Sequence, residues 1–123
     1  MKWLALAVGS LAGGFARYLL GGMVYGVTGP SLPYGTLVVN LSGCFLIGLL
    51  NALAEERLSL GPDGRMLLMV GFCGAFTTFS TFMLETVHLW KDGRGWEAGV
   101  YVAASVAFGF LLFFAGEKAA ALV

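Results

Sequence analysis

Four hydroxyl side chains, Thr77, Thr78, Ser80 and Thr81, fall within five positions of an otherwise apolar segment. They belong to the stretch Gly71-Phe-Cys-Gly-Ala-Phe-Thr-Thr-Phe-Ser-Thr-Phe82, with Phe76, Phe79 and Phe82 at three-residue intervals. A single Ser or Thr in an apolar helix signifies little, because its hydroxyl returns to the carbonyl four residues back. Four of them beside Gly71 and Gly74 point to an interrupted helix whose released backbone groups face something polar.

Such a break has two chemistries. Carbonyls of the last turn before it, around Gly74 to Thr77, lose their helical partners and can ligate a hard cation such as Na⁺. The half-helix that resumes presents free N–H groups, which favour an anion, and the hydroxyls of Ser80 and Thr81 can join them. Phe79 and Phe82 lie on nearly one face of that half, and a phenyl edge is the positive part of the ring quadrupole. The competing reading is a packed core of phenylalanines with back-bonded threonines. The residues alone leave both open.

The elements that must hold this stretch are readable from composition. The chain has 123 residues, of which 59% are apolar and 11% charged, with a formal net charge of zero. A soluble domain of this size carries about 25% charged residues. Four apolar segments, about 3–27, 34–54, 65–90 and 96–116, each reach the length of about 20 residues that spans a hydrocarbon core. The expectation is one all-α domain over residues 1–123, crossing the bilayer four times, with a break in the third helix.

The first segment runs through Arg17 and is too long for a signal-peptide core, so it reads as a retained helix. Cys44 and Cys73 both sit in apolar runs and read as small buried side chains rather than a disulfide or metal site. The basic residues are dispersed, which argues against nucleic acid. No catalytic constellation is visible, and the chain does not read as an enzyme.

The polar exceptions matter most in a chain this apolar. Arg17 near mid-membrane costs roughly 2.5–3.5 kcal/mol, so it either snorkels to an interface, pairs, or lines a wet vestibule. Asn40 stands about two turns into the second helix, where its amide must find protein, water or a ligand. Glu85 lies one turn beyond Phe82, and His88 stands by Trp90 at the expected interface. Tyr101 and Ser105 are the only polar side chains in the interior of the fourth segment. Gly9-x-x-x-Gly13 and Gly22-x-x-x-Gly26 permit close helix contact, within one chain or between copies. Glu55, Glu56 and Arg57 mark a membrane exit, followed by a turn-like loop from Leu58 to Gly64.

With four crossings, Lys2, Arg57, Arg65 and Lys118 share one side against Lys91 and Arg94 on the other. That bias is weak and suits insertion in both orientations. One four-helix chain is also small for enclosing a polar path. An antiparallel homodimer of oppositely inserted copies would supply the enclosure.

Three motifs then stand in order: Gly13-Gly-Phe-Ala-Arg-Tyr18, Gly35-Thr-Leu-Val-Val-Asn-Leu-Ser-Gly43 and the Gly71–Phe82 stretch. On these the chain resembles the Fluc (CrcB-type) fluoride channel family over essentially its whole length. The resemblance implies a dual-topology homodimer with two fluoride pores and one structural Na⁺ at the dimer interface. The carbonyls holding that ion match Gly74 and Thr77, the pore-facing aromatic pair matches Phe79 and Phe82, and the pore asparagine matches Asn40. Arg17 and Glu85 match the family's helix-one arginine and its acidic residue, candidates for a vestibule or gating role. Of the family's polar track on helix four only Tyr101 and Ser105 remain.

The implied activity is passive, fluoride-selective export across a prokaryotic cell membrane, driven by the membrane potential, with fluoride, a second copy and the lipid bilayer as partners. Two alternatives belong beside it. A proton-coupled exporter of the multidrug type would carry a carboxylate in helix one, where this chain has Arg17 and no acid before Glu55. A non-transporting membrane subunit would have no need of Asn40 or the hydroxyl cluster.

Overall fold

A computed structural model describes residues 1–56 and 60–123. Arg57, together with the first two loop residues, Leu58 and Ser59, lies outside the described residues. Every regular element among the described residues is a helix, and four helical stretches are long and apolar enough to cross a membrane. In order they are α1 (Lys2–Thr28), α2 (Tyr34–Glu56), a composite third crossing (Pro62–Lys91) and α6 (Gly95–Ala120). The third crossing is assembled from α3 (Pro62–Arg65), a π-helical stretch (Met66–Cys73), α4 (Gly74–Phe76) and α5 (Phe79–Lys91).

Local chemistry sets the ends. α1 stops at Gly29, whose φ of 78° suits a residue without Cβ, and the Gly29 N–H returns to the Tyr25 carbonyl at 2.8 Å. α3 begins three residues before the expected start, because Pro62 occupies its first position, where a missing N–H and fixed φ cost nothing. The Arg65 guanidinium reaches back to the Ala54 carbonyl at 2.8 Å, a cation placed on the C-terminal end of α2. Gly93, at φ 79°, turns the chain between α5 and α6. There Arg94 donates to the Ser31 carbonyl at 2.6 Å and pairs with Glu97, tying the α5–α6 turn to the α1–α2 loop. α6 continues past Gly116 to Ala120, a turn beyond the apolar run.

Backbone proximity holds the bundle together. α2 packs most extensively on α6, and α1 on the π-helical stretch. A Cβ at Gly48 would strike the Phe113 carbonyl, and one at Gly116 would strike the Phe45 carbonyl. On the other side, Gly9 and Gly13 sit against the carbonyls of Leu67 and Phe72. Hydrophobicity cannot drive helix association in lipid, so dispersion at such close contacts carries the packing. The first glycine pair therefore serves contacts within the chain, whereas Gly22 and Gly26 face open space.

The outer surface suits a bilayer. Phe15, Leu19, Phe110 and Leu111 are exposed along the helices, while Trp3, Trp90 and Trp96 stand exposed near helix ends. The buried interior is small; one cluster joins Phe82, Leu89, Ala98 and Tyr101 between α5 and α6.

Candidate ion site

The third crossing leaves helical geometry at two residues. α4 ends at Phe76, Thr77 is extended (φ −88°, ψ 158°), Thr78 is extended (φ −148°, ψ 116°), and α5 starts at Phe79. Thr77 closes the first half by donating both its N–H (3.1 Å) and its hydroxyl (2.9 Å) to the Cys73 carbonyl. Thr78 opens the second half as an N-cap, its hydroxyl accepting from the Thr81 N–H at 3.2 Å. The hydroxyls thus divide by task, one ending a helix and one beginning the next.

Asn40 holds the gap. Its Oδ1 accepts the Thr78 N–H at 2.8 Å, and its Nδ2 donates to the Thr78 carbonyl at 3.0 Å. In an unbroken helix the Thr78 N–H would serve the Gly74 carbonyl. Its diversion to Asn40 releases that carbonyl at the negative end of the half-helix. The next carbonyl, Ala75, would have paired with the Phe79 N–H and is instead taken by Arg17 Nε at 3.1 Å. Arg17 therefore pairs with backbone at the break; it is not an idle snorkelling charge.

A hard cation fits this donor chemistry. The released Gly74 carbonyl is a neutral oxygen donor, and a Cβ on the exposed Gly74 would meet nothing within 4 Å. Among the described residues no cluster of three or more His, Cys, Asp or Glu could hold a transition metal.

The break opens onto a groove of about 460 Å³, lined by Asn40, Gly74, Thr77, Phe79, Phe82 and Ser105, among others. Phe79 and Phe82 stand with ring centroids 5.8 Å apart and planes tilted by 58°. They differ in setting: Phe79 is 72% exposed, whereas Phe82 is 7% exposed. The edge-on contact of Phe82 is with Tyr101, at 4.9 Å and 67°. Gly43 matters here as well, since a Cβ on it would occupy the place of the Thr77 methyl.

Other expected residues stand apart from the groove. Ser80 is exposed and is not among its lining residues. Thr81 lines a separate cavity of about 310 Å³ with Arg17 and Thr36. Tyr101, although buried against Phe82, lines a cavity of about 290 Å³ near Tyr34 and Trp96. Glu85 lines a cavity of about 480 Å³ at the membrane end, with Tyr25, His88, Asp92 and Arg94. Glu85 is also a hydrogen-bond partner of Tyr25, whose hydroxyl donates to Glu85 Oε2 at 2.6 Å and stands 3.4 Å from Thr36 Oγ1. Sequence reasoning missed Tyr25 and Thr36. A tyrosine near the end of an apolar helix looks like an interfacial anchor, and nothing local links it to an acid 60 residues away.

Residues 4–117 match the family model described as CrcB-like protein, Camphor Resistance (CrcB). A fluoride-specific ion channel FluC from Methylocella silvestris is 41% identical over 125 residues, covering 100% of this chain and 95% of that protein. Proteins of the same name from Geobacter sulfurreducens and Solibacter usitatus are each 46% identical. The first of these covers 95% of this chain and 94% of the relative; the second covers 89% and 90%. With the family match running through all four crossings and the broken third helix within it, this multi-pass membrane protein belongs to the CrcB-like family.

Proposed function

We propose that this protein is a fluoride-selective ion channel and not an enzyme, and that it lets cytoplasmic fluoride leave the cell passively. The observation that carries the reading is the groove in which the Asn40-held break adjoins the Phe79–Phe82 pair. A small, strongly hydrated anion needs replacement hydrogen bonds and positive ring edges without a fixed cation that would trap it. The Asn40 amide keeps a second N–H beyond the one given to Thr78, and Ser105 supplies a hydroxyl on the same groove. Phe79 and Phe82 supply the ring edges. Relatives 41% and 46% identical to nearly the whole chain bear the name of fluoride-specific channels.

Direction follows from electrostatics. A negative-inside potential drives a monovalent anion outward by about 2.3 kcal/mol per 100 mV, with no need of a coupled ion or a nucleotide. Two copies inserted in opposite orientations would close the exposed groove against lipid. A Na⁺ ion between them would be held by the Gly74 and Thr77 carbonyls of both, and would neutralise the negative ends of the two first half-helices. The role of that ion is structural.

The decisive test is fluoride efflux from liposomes carrying the purified protein. The reading requires fast fluoride efflux without a pH gradient, with chloride retained. Absence of fluoride flux from a correctly assembled preparation would overturn it. The dimer and its central ion are tested separately, by cross-linking in membranes and by comparing dimer stability in Na⁺ buffer with that in K⁺-only buffer.

A further inference from the structure

The Tyr25–Glu85 contact joins α1 to α5, two helices that no sequence motif connects. Glu85 follows Phe82 by three positions on α5, so its carboxylate stands one turn from the buried ring of the groove. A carboxylate there carries a full negative charge next to a path for anions, in surroundings of low dielectric. Its three torsions would let an unanchored carboxylate sweep between the end cavity and the groove.

The structure holds it on one side. Tyr25 donates to Glu85 Oε2 at 2.6 Å, a short bond of the charge-assisted kind. Tyr25 is itself seated: its ring occupies the space that a Cβ on Gly35 would need, and its hydroxyl lies 3.4 Å from Thr36 Oγ1. The anchored carboxylate lines the end cavity and not the groove. The other oxygen, Oε1, is buried and has no hydrogen-bond partner among the described residues. Among the described residues Tyr25 is therefore the hydrogen-bond partner that orients this carboxylate.

We infer that Tyr25 is a positioning residue for ion passage, holding the Glu85 carboxylate in the end cavity and its charge out of the Phe79–Phe82 groove. The inference rests on the channel reading above. It assigns Tyr25 no contact with the ion; Tyr25 acts through Glu85.

The test is fluoride flux from liposomes for the wild type, Tyr25→Phe, Glu85→Gln and the double variant, each first shown to elute as the wild type does. Tyr25→Phe should lower flux roughly fivefold, in the range of couplings between contacting residues. The loss should be a rise in half-saturating fluoride with the limiting rate kept, because a loose negative charge opposes entry. In the Glu85→Gln background the same substitution should change nothing, since no charge remains to stray.

Unaltered flux in Tyr25→Phe overturns the inference, as does an equal loss in the Glu85→Gln background, which would mark a purely structural hydroxyl. If Tyr25→Phe fails to assemble, Thr36→Val, which keeps the side-chain shape but removes the hydroxyl 3.4 Å from that of Tyr25, is judged by the same two criteria. A wild type that conducts no fluoride defeats the channel reading itself, whereas a conducting wild type with an indifferent Tyr25→Phe defeats only the positioning role.

Discussion

Asn40 grips Thr78 by both of its backbone groups: Oδ1 takes the N–H that the break deprives of a helical acceptor, at 2.8 Å, and Nδ2 adds a bond to the carbonyl that opens α5, at 3.0 Å. In water such a gap would be filled by solvent. At membrane depth each unsatisfied backbone group is costly, so the side-chain amide is what makes the two-residue interruption tolerable.

Asn40→Ala removes both bonds at once. Losing both bonds, with the Thr78 N–H left unsatisfied, should cost roughly 2–4 kcal/mol. We expect a lower thermal midpoint in detergent together with collapse of fluoride flux. Asn40→Asp should also fail, because a carboxylate can accept the Thr78 N–H but meets the Thr78 carbonyl oxygen with a negative charge. Retained stability in Asn40→Ala would show that the break holds itself.

Phe79 and Phe82 should separate function from stability. Replacing either by Ile removes the ring edge and should depress fluoride flux. Because Phe79 is 72% exposed and Phe82 only 7% exposed, the stability cost should fall on Phe82. Flux assays paired with thermal melts of both variants check this. Undiminished flux in both would remove the aromatic pair from the ion path.

Glycines of two kinds should respond in opposite ways. Gly48→Ala drives a Cβ into the Phe113 backbone carbonyl, which has no rotamer to escape through, so overpacking of about 1–3 kcal/mol or more should impair the fold of the single chain. Gly74→Ala meets nothing within 4 Å and should leave the helical circular-dichroism spectrum unchanged. Under the proposed assembly it should instead weaken the dimer and its response to Na⁺. Analytical size exclusion with and without Na⁺ distinguishes the two.

Arg17 should be needed for the break more than for net charge. Its Nε bond to the Ala75 carbonyl is of the charged kind, each worth about 1.5–3 kcal/mol. Arg17→Gln should lose most of that and lower the melting point. Arg17→Lys, which keeps the charge but not the Nε donor, should recover only part of it. Equal behaviour of Lys and Arg here would mean that charge alone matters.

The membrane character of this protein was legible in its sequence, because four apolar stretches of spanning length admit one solution in which every backbone group is paired. The stress point was legible too. Glycines and clustered hydroxyls mark where a helix is weak, and Asn40 and Arg17 announce themselves as groups too costly to leave alone in lipid.

Their partners were not legible. Asn40 meets Thr78 across 38 positions, Arg17 meets Ala75 across 58, and Tyr25 meets Glu85 across 60. Thr77 spends its hydroxyl on Cys73, Thr78 caps α5, and Ser80 faces outward, a division that the shared residue type does not foretell. The π-helical winding of Met66–Cys73 likewise left no local mark. The reason is physical. In a soluble helix the apolar stripe reveals which side faces the core, but a helix that is apolar all round, with lipid on one side and protein on the other, encodes little of its own rotation. That rotation is set by where glycine lets two backbones touch, and it becomes visible only when the helices are packed together.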